Sequence, residues 1–175
     1  YTYDADGKTT QILGPDGTSI AYEYDTLGNQ VRTRMPDGKV VQREFDRLGN
    51  VIAEIDPAGR TTRYSYDAAG QLIAVIAPDA GISRNSYDAN GNVIAQTDPL
   101  GNVTTFEYDI YNRLVSKTYP GGDRERFAYN QDGWQTSTTA PDGDETVNVF
   151  DQNGNVLQRR FADGSQESFT YSATN

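Results

Sequence analysis

One interval governs this chain: an aromatic residue recurs every 21 positions, at Tyr3, Tyr24, Phe45, Tyr66, Tyr87, Tyr108, Tyr129, Phe150 and Tyr171. Self-similarity at a fixed period of this size marks a repeat architecture, in which no unit buries its apolar surface alone and each stacks on its neighbours. The residue after the aromatic is Asp4, Asp25, Asp46, Asp67, Asp88, Asp109 and Asp151, with Asn130 and Ser172 as departures. Four residues after the aromatic stand Gly7, Gly28, Gly49, Gly70, Gly91, Gly133 and Gly154, and Asn112 takes that place in the sixth copy. Asn is the other residue that tolerates a left-handed backbone, so the exception obeys the same steric rule. Each Asp-x-x-Gly unit therefore reads as a tight turn, in which the carboxylate bonds N–H groups two residues on and Gly supplies a positive φ.

A second turn closes the other half of each period, at Pro15-Asp16-Gly17, Pro36-Asp37-Gly38, Pro57-Ala58-Gly59, Pro99-Leu100-Gly101, Pro120-Gly121-Gly122 and Pro141-Asp142-Gly143. Two copies have drifted, to Pro78-Asp79-Ala80-Gly81 and Ala162-Asp163-Gly164, and irregular turns are expected there. The segments between turns have strand length, and such short connections make neighbouring strands antiparallel. In the strand ending on the motif aromatic, Tyr22 and Tyr24, Tyr64 and Tyr66, and Phe106 and Tyr108 share one face by period-two alternation. The other strand opens on apolar pairs such as Val51-Ile52, Leu72-Ile73 and Val93-Ile94, which suggests partial burial on both faces. No window sustains three-four apolar spacing, and Gly or Pro interrupts every ten residues or so, which excludes helices. The fold class is all-β: tandem 21-residue β-hairpin repeats, an antiparallel meander, in a single array of eight copies over residues 1–175.

Composition narrows the functions open to such an array. Only 35% of the 175 residues are apolar and the net charge is -10, yet twelve Tyr, six Phe and one Trp argue against disorder. The core must be thin. An acidic balance disfavours nucleic acid and anionic membranes as partners, and no run of residues reaches the length of a membrane-spanning helix. Cysteine and histidine are absent, which removes thiolate metal sites and the commonest catalytic base and nucleophile. Opening in repeat phase at Tyr1, without Met or a signal peptide, the sequence reads as a segment of a longer chain.

The pattern Tyr-Asp-x-x-Gly-Asn-x-hydrophobic, followed by Asp-Pro-x-Gly or Pro-Asp-Gly, resembles the RHS/YD-repeat family. Tyr87-Asp88-Ala89-Asn90-Gly91-Asn92-Val93-Ile94 with Asp98-Pro99-Leu100-Gly101 is close to a consensus copy, and the resemblance covers essentially the whole chain. It implies a β-strip that spirals into a hollow shell, as in bacterial RHS polymorphic toxins, toxin-complex subunits, wall-associated proteins and teneurins. In the toxins the shell encloses a C-terminal effector polypeptide, so a secreted or cell-surface bacterial protein is implied. Family members often end in an Asp-Pro-x-Gly-Leu core motif with aspartyl self-cleavage. Asp56-Pro57-Ala58-Gly59-Arg60 and Asp98-Pro99-Leu100-Gly101-Asn102 lack that Leu, so self-cleavage is not carried over.

Curling or association is also expected on physical grounds. About sixteen strands at about 4.8 Å spacing give an open strip nearly 80 Å wide, beyond the size at which twisted sheets stay open. The partners expected are neighbouring repeats of a longer parent chain or further copies of this one, with an enclosed toxin polypeptide as cargo. Self-association into an extracellular tube, filament or adhesin is an alternative, and a glycan-binding aromatic surface is another. Catalysis by an Asp pair is disfavoured, because the repeated Asp residues follow turn logic and a catalytic dyad should be singular. Asp4-Ala5-Asp6-Gly7 and Asp151-Gln152-Asn153-Gly154-Asn155 echo calcium loops but lack the spacing and the distal Glu of an EF-hand, so neither a metal nor a cofactor is expected. Trp134 breaks the pattern after its turn glycine, either as a contact point or as a cap on a neighbouring repeat.

Overall fold

A computed structural model describes residues 1–172 of the chain. It divides into two compact units, Tyr1–Asn85 with Asp98–Leu100, and Ser86–Thr97 with Gly101 onward. Every regular element among the described residues is a β-strand. In the first unit these are β1 (Thr2–Tyr3), β2 (Thr9–Leu13), β3 (Ser19–Tyr24), β4 (Gln30–Arg34), β5 (Val40–Phe45), β6 (Val51–Ile55), β7 (Thr61–Tyr66) and β8 (Leu72–Ile76), with β9 (Ile82–Tyr87) carrying the division. The second unit contains β10 (Val93–Thr97), β11 (Val103–Tyr108), β12 (Leu114–Thr118), β13 (Arg124–Tyr129), β14 (Gln135–Thr139), β15 (Glu145–Phe150), β16 (Val156–Arg160) and β17 (Gln166–Ser168). Within each unit, strands pair antiparallel with their sequence neighbours, as three-residue connections require.

Both kinds of turn have one backbone. In the aspartate turn, Asp25 N donates to Asn29 O at 2.9 Å and Gly28 N to Asp25 O at 3.0 Å; in the proline turn, Met35 N donates to Lys39 O and Gly38 N to Met35 O, at 2.8 and 2.9 Å. This is the three-residue hairpin loop, a type I turn closed by a residue in the left-handed region. The drifted copies keep it too, contrary to the irregularity expected of them. Ala77 N reaches Gly81 O and Phe161 N reaches Ser165 O, each at 2.9 Å. Register is preserved because Ala80, rather than Gly81, takes the left-handed conformation at φ 67°. The hairpin geometry outweighs the steric penalty of one Cβ.

A feature absent from the sequence reading is a β-bulge in every aspartate-turn hairpin of the described register. Phe45 pairs with Val51 but Glu44 pairs with Ala53, so Ile52 is the extra residue; Val31, Ile73, Val115 and Leu157 hold the same place. The adjacent apolar pairs therefore reflect a local reset of alternation, as a bulge requires. Val31 shares a depression with Glu23, Arg32, Gln42 and Ile55, on the face opposite Tyr24.

Burial is shallow, as the composition demands. Among the described residues only Ala53, Thr33 and Ser116 are buried. Each is small and sits mid-strand between long neighbours: Ala53 between Glu44 and Arg63, Ser116 between Glu107 and Arg126, Thr33 between Tyr22 and Val41. Beside Ala53 and Ser116 the cross-strand neighbours are Glu and Arg, whose long alkyl stems suit them to cover the centre line of a thin sheet.

Candidate functional site

The chemistry of this chain is distributed along its repeats. Every aspartate lies in a turn or at its flank, whereas every glutamate lies in a strand. Only five of the fifteen Lys and Arg residues (Lys8, Lys39, Arg47, Arg60 and Arg113) share the turns, so the negative charge collects there. Ion pairs on the strands join Arg43 to Glu54 at 2.8 Å, Arg32 to Glu23 at 3.2 Å, and Arg124 to Glu107.

The first residue of each aspartate turn organises it. Asp25 Oδ1 accepts from Leu27 N at 2.9 Å and Asn29 N at 2.8 Å, while Oδ2 accepts from Asn29 Nδ2 at 2.9 Å. Asp46 with Asn50, Asp88 with Asn92 and Asp151 with Asn155 repeat the arrangement. These side-chain amides, with the backbone donors, hold the four carboxyls below the ordinary aspartate range. Asp4 and Asp67 accept the two backbone bonds, Asn130 Oδ1 accepts from Trp134 N, and Asp109 binds the Arg113 guanidinium at 2.6 Å. The turn glycines Gly7, Gly28, Gly49, Gly70, Gly91, Gly133 and Gly154 have φ between 80° and 89°, and Asn112 stands at 61°.

The motif aromatics link one repeat to the previous one. Tyr24 OH donates to Thr9 O, Tyr66 to Val51 O, Tyr108 to Val93 O, Tyr129 to Leu114 O and Tyr171 to Val156 O, at 2.8 to 3.1 Å and always 15 residues back. The acceptor opens the bulged strand and pairs with the preceding aromatic, as Val51 does with Phe45. Burial pushes the Tyr66, Tyr108 and Tyr129 hydroxyls above their ordinary value. Phe150 has no hydroxyl, and Asn148 two residues earlier on the same face donates to Gln135 O instead, at 3.2 Å. These bonds were missed from sequence. Their one signal is the excess of Tyr over Phe at the motif position, since packing alone does not distinguish the two rings. Tyr3 on β1 and Tyr87 on β9 occupy the same motif position.

A second link runs forward. In three copies the side chain following the left-handed turn residue reaches the motif aromatic of the next repeat: Lys8 Nζ lies 5.5 Å from the Tyr24 ring centre, the Arg113 guanidinium 4.8 Å from Tyr129, and the Trp134 ring 5.4 Å from Phe150. Trp134 thus covers a neighbouring repeat, close against Gly154, the cap anticipated as one of its two roles. Among the described residues no three His, Cys, Asp or Glu side chains converge as a metal site.

The RHS Repeat family profile matches residues 3–40, 45–82, 87–124 and 111–145. No match is found among curated proteins. Among solved structures the fold is similar to TcdB2-TccC3 without its hypervariable C-terminal region, at TM-score 0.79 and 12% identity over 98% of this chain and 12% of that one. It is likewise similar to TcdB2-TccC3-Cdc42, at TM-score 0.74 and 13% identity over 91% of this chain and 11% of that one. The Tc holotoxin pore of Photorhabdus luminescens carrying TccC3-D651A matches at TM-score 0.70 and 14% identity over 85% of this chain and 9% of that one. The chain spans about a tenth of the length of these solved chains. With its repeat motif matched along most of its length, the chain belongs to the RHS-repeat family.

Proposed function

We propose that this chain is a noncatalytic wall segment of a larger secreted bacterial RHS protein, whose eight repeats act as one array in a shell enclosing a toxin or effector polypeptide. The observation that carries this reading is the two-way linkage between repeats. Five motif tyrosine hydroxyls bind back to the preceding repeat, and Lys8, Arg113 and Trp134 reach forward over the motif aromatic of the following one. Such a unit extends by adding copies, and its hydrogen bonds are committed to the wall. The likeness in fold to parts of much longer TcdB2-TccC3 chains, of which the match covers 11% and 12%, supports the same scale of assembly.

The test uses the full parent protein under limited proteolysis. A segment C-terminal to the repeats that resists cleavage in the native protein, and is cut once the repeats are unfolded, is the expected result. A parent chain consisting of repeats alone, or a C-terminal segment cut at once, overturns the reading. Self-assembly into a tube or filament is a second reading, favoured by the exposed turn-tip residues Leu27, Leu48, Leu100, Ile110 and Tyr111. Light scattering decides it, because a particle mass independent of concentration excludes polymerisation.

A further inference from the structure

We infer that the depression around Trp134 is a cation-binding subsite, which takes a Lys or Arg side chain from an extended basic segment of a partner polypeptide. It lies in the second unit and is lined by Asp132, Trp134, Phe150, Asp151 and Gln152. The argument starts from what equivalent places elsewhere in the array contain. Where Lys8 or Arg113 follows the turn glycine, the chain supplies a cation of its own to the next motif aromatic, at 5.5 Å from Tyr24 and 4.8 Å from Tyr129. In the copy that ends on Phe150 the indole of Trp134, the only Trp in the sequence, stands at that position. Two aromatic rings now meet at 5.4 Å with their planes 42° apart, and no Lys or Arg lines the depression among the described residues.

Two carboxylates complete the lining. Asp151 accepts only neutral donors, Asn153 N and Asn155 N on Oδ1 and Asn155 Nδ2 on Oδ2, so its charge is hydrogen-bonded but not neutralised. Asp132 stands exposed at the turn tip. The turn cation Arg113 is held by Asp109 at 2.6 Å and by Asn130 O at 3.0 Å, and does not line this site. Indole is the strongest of the side-chain π faces for a cation, and flanking carboxylates add direct attraction. An acidic chain with net charge -10 draws basic segments toward such a site over a longer range.

Because Trp134 is the sole tryptophan, its emission reports the site directly in the intact chain. Titration with an oligolysine peptide should give a saturable change in emission that weakens as salt rises. An oligoglutamate peptide of equal length should give none. Calorimetry of Trp134→Asn, which restores the residue type common at this position, should show affinity lower by about fivefold. Asp132→Asn, at a carboxylate with no role in the turn hydrogen bonds, should lower affinity about threefold while leaving the thermal transition unchanged. No saturable change with oligolysine, or equal affinity in both variants, overturns the assignment. Tetramethylammonium matching oligolysine in affinity overturns the polypeptide source by making a free organic ammonium sufficient.

Discussion

A single oxygen atom separates the motif residues Tyr66 and Phe45, and the structure shows what that atom does. The Tyr66 hydroxyl donates to Val51 O at 2.9 Å across a repeat boundary, from a ring that is already packed. Tyr66→Phe should therefore lower the free energy of unfolding by about 1 kcal/mol, the net worth of one hydrogen bond, with the ring's packing kept. Urea unfolding measures it, and an unchanged midpoint would show that water replaces the bond without loss. At the same scale, the turn aspartates give the fold an acid limb. The Asn29, Asn50, Asn92 and Asn155 amides, together with backbone N–H groups, hold the folded carboxyls of Asp25, Asp46, Asp88 and Asp151 below the ordinary value of 3.8. A depressed carboxyl stabilises the fold fully above its unfolded value, and that contribution disappears as pH falls through the folded value. Thermal midpoints should hold steady near neutrality and drop as the pH passes below about 4. Replacing the four aspartates by Asn should flatten that drop, and a drop of undiminished size in the variant would assign it to other groups.

Turns are the elements in which sequence and structure agree most closely, and there is a physical reason. A three-residue hairpin loop needs one left-handed residue and one local side-chain acceptor, and only Gly, Asn and Asp meet those needs cheaply. Ala80 is the test of how much the element demands, because it holds φ 67° while Gly81 beside it does not supply the positive angle. Ala80→Gly should stabilise the protein by about 0.5–1 kcal/mol, since relief of left-handed strain exceeds the added entropy of the unfolded chain. Differential scanning calorimetry checks the sign, and destabilisation would mean that the loop relaxes around Ala at no cost. Strand placement and the aromatic face were equally legible, because alternation survives in the stretch from Thr61 to Tyr66. The bulge was not. Val51-Ile52 has the same appearance in sequence whether both faces are buried or one residue is extra, and only pairing to Phe45 and Glu44 separates the two. The repeat-to-repeat bonds were hidden for a similar reason: spacing reveals where a ring recurs but says nothing of a backbone carbonyl 15 residues earlier.

Within each unit, strand contacts run between neighbours in sequence, so stability should accumulate copy by copy. The period then becomes a unit that can be removed. Deleting residues 46–66 joins Phe45 to Asp67, which restores the aromatic, the Asp-x-x-Gly turn and Leu72 as the opening residue of the next bulged strand. That chain should fold with an unchanged β-sheet circular dichroism shape and lose only the share of stability due to one repeat. Deleting residues 46–56 removes half a period instead. Phe45 would then meet Pro57, and two strands that end on motif aromatics would face each other directly. Both deletions remove Val51, Ala53 and Glu54, but the full-period one also removes Tyr66 and puts Ala74 in the place of Ala53, whereas the half-period one keeps Tyr66 and discards the Val51 carbonyl that its hydroxyl binds. Although it removes fewer residues, the half-period variant should be less stable than the full-period one by about 1 kcal/mol or more, the cost of leaving the Tyr66 hydroxyl without its partner. Chemical denaturation of the two variants side by side decides the matter. Equal stability, or greater stability in the half-period variant, would mean that adjacent strands pair without regard to repeat identity, and that the 21-residue period reflects only how the sequence duplicated.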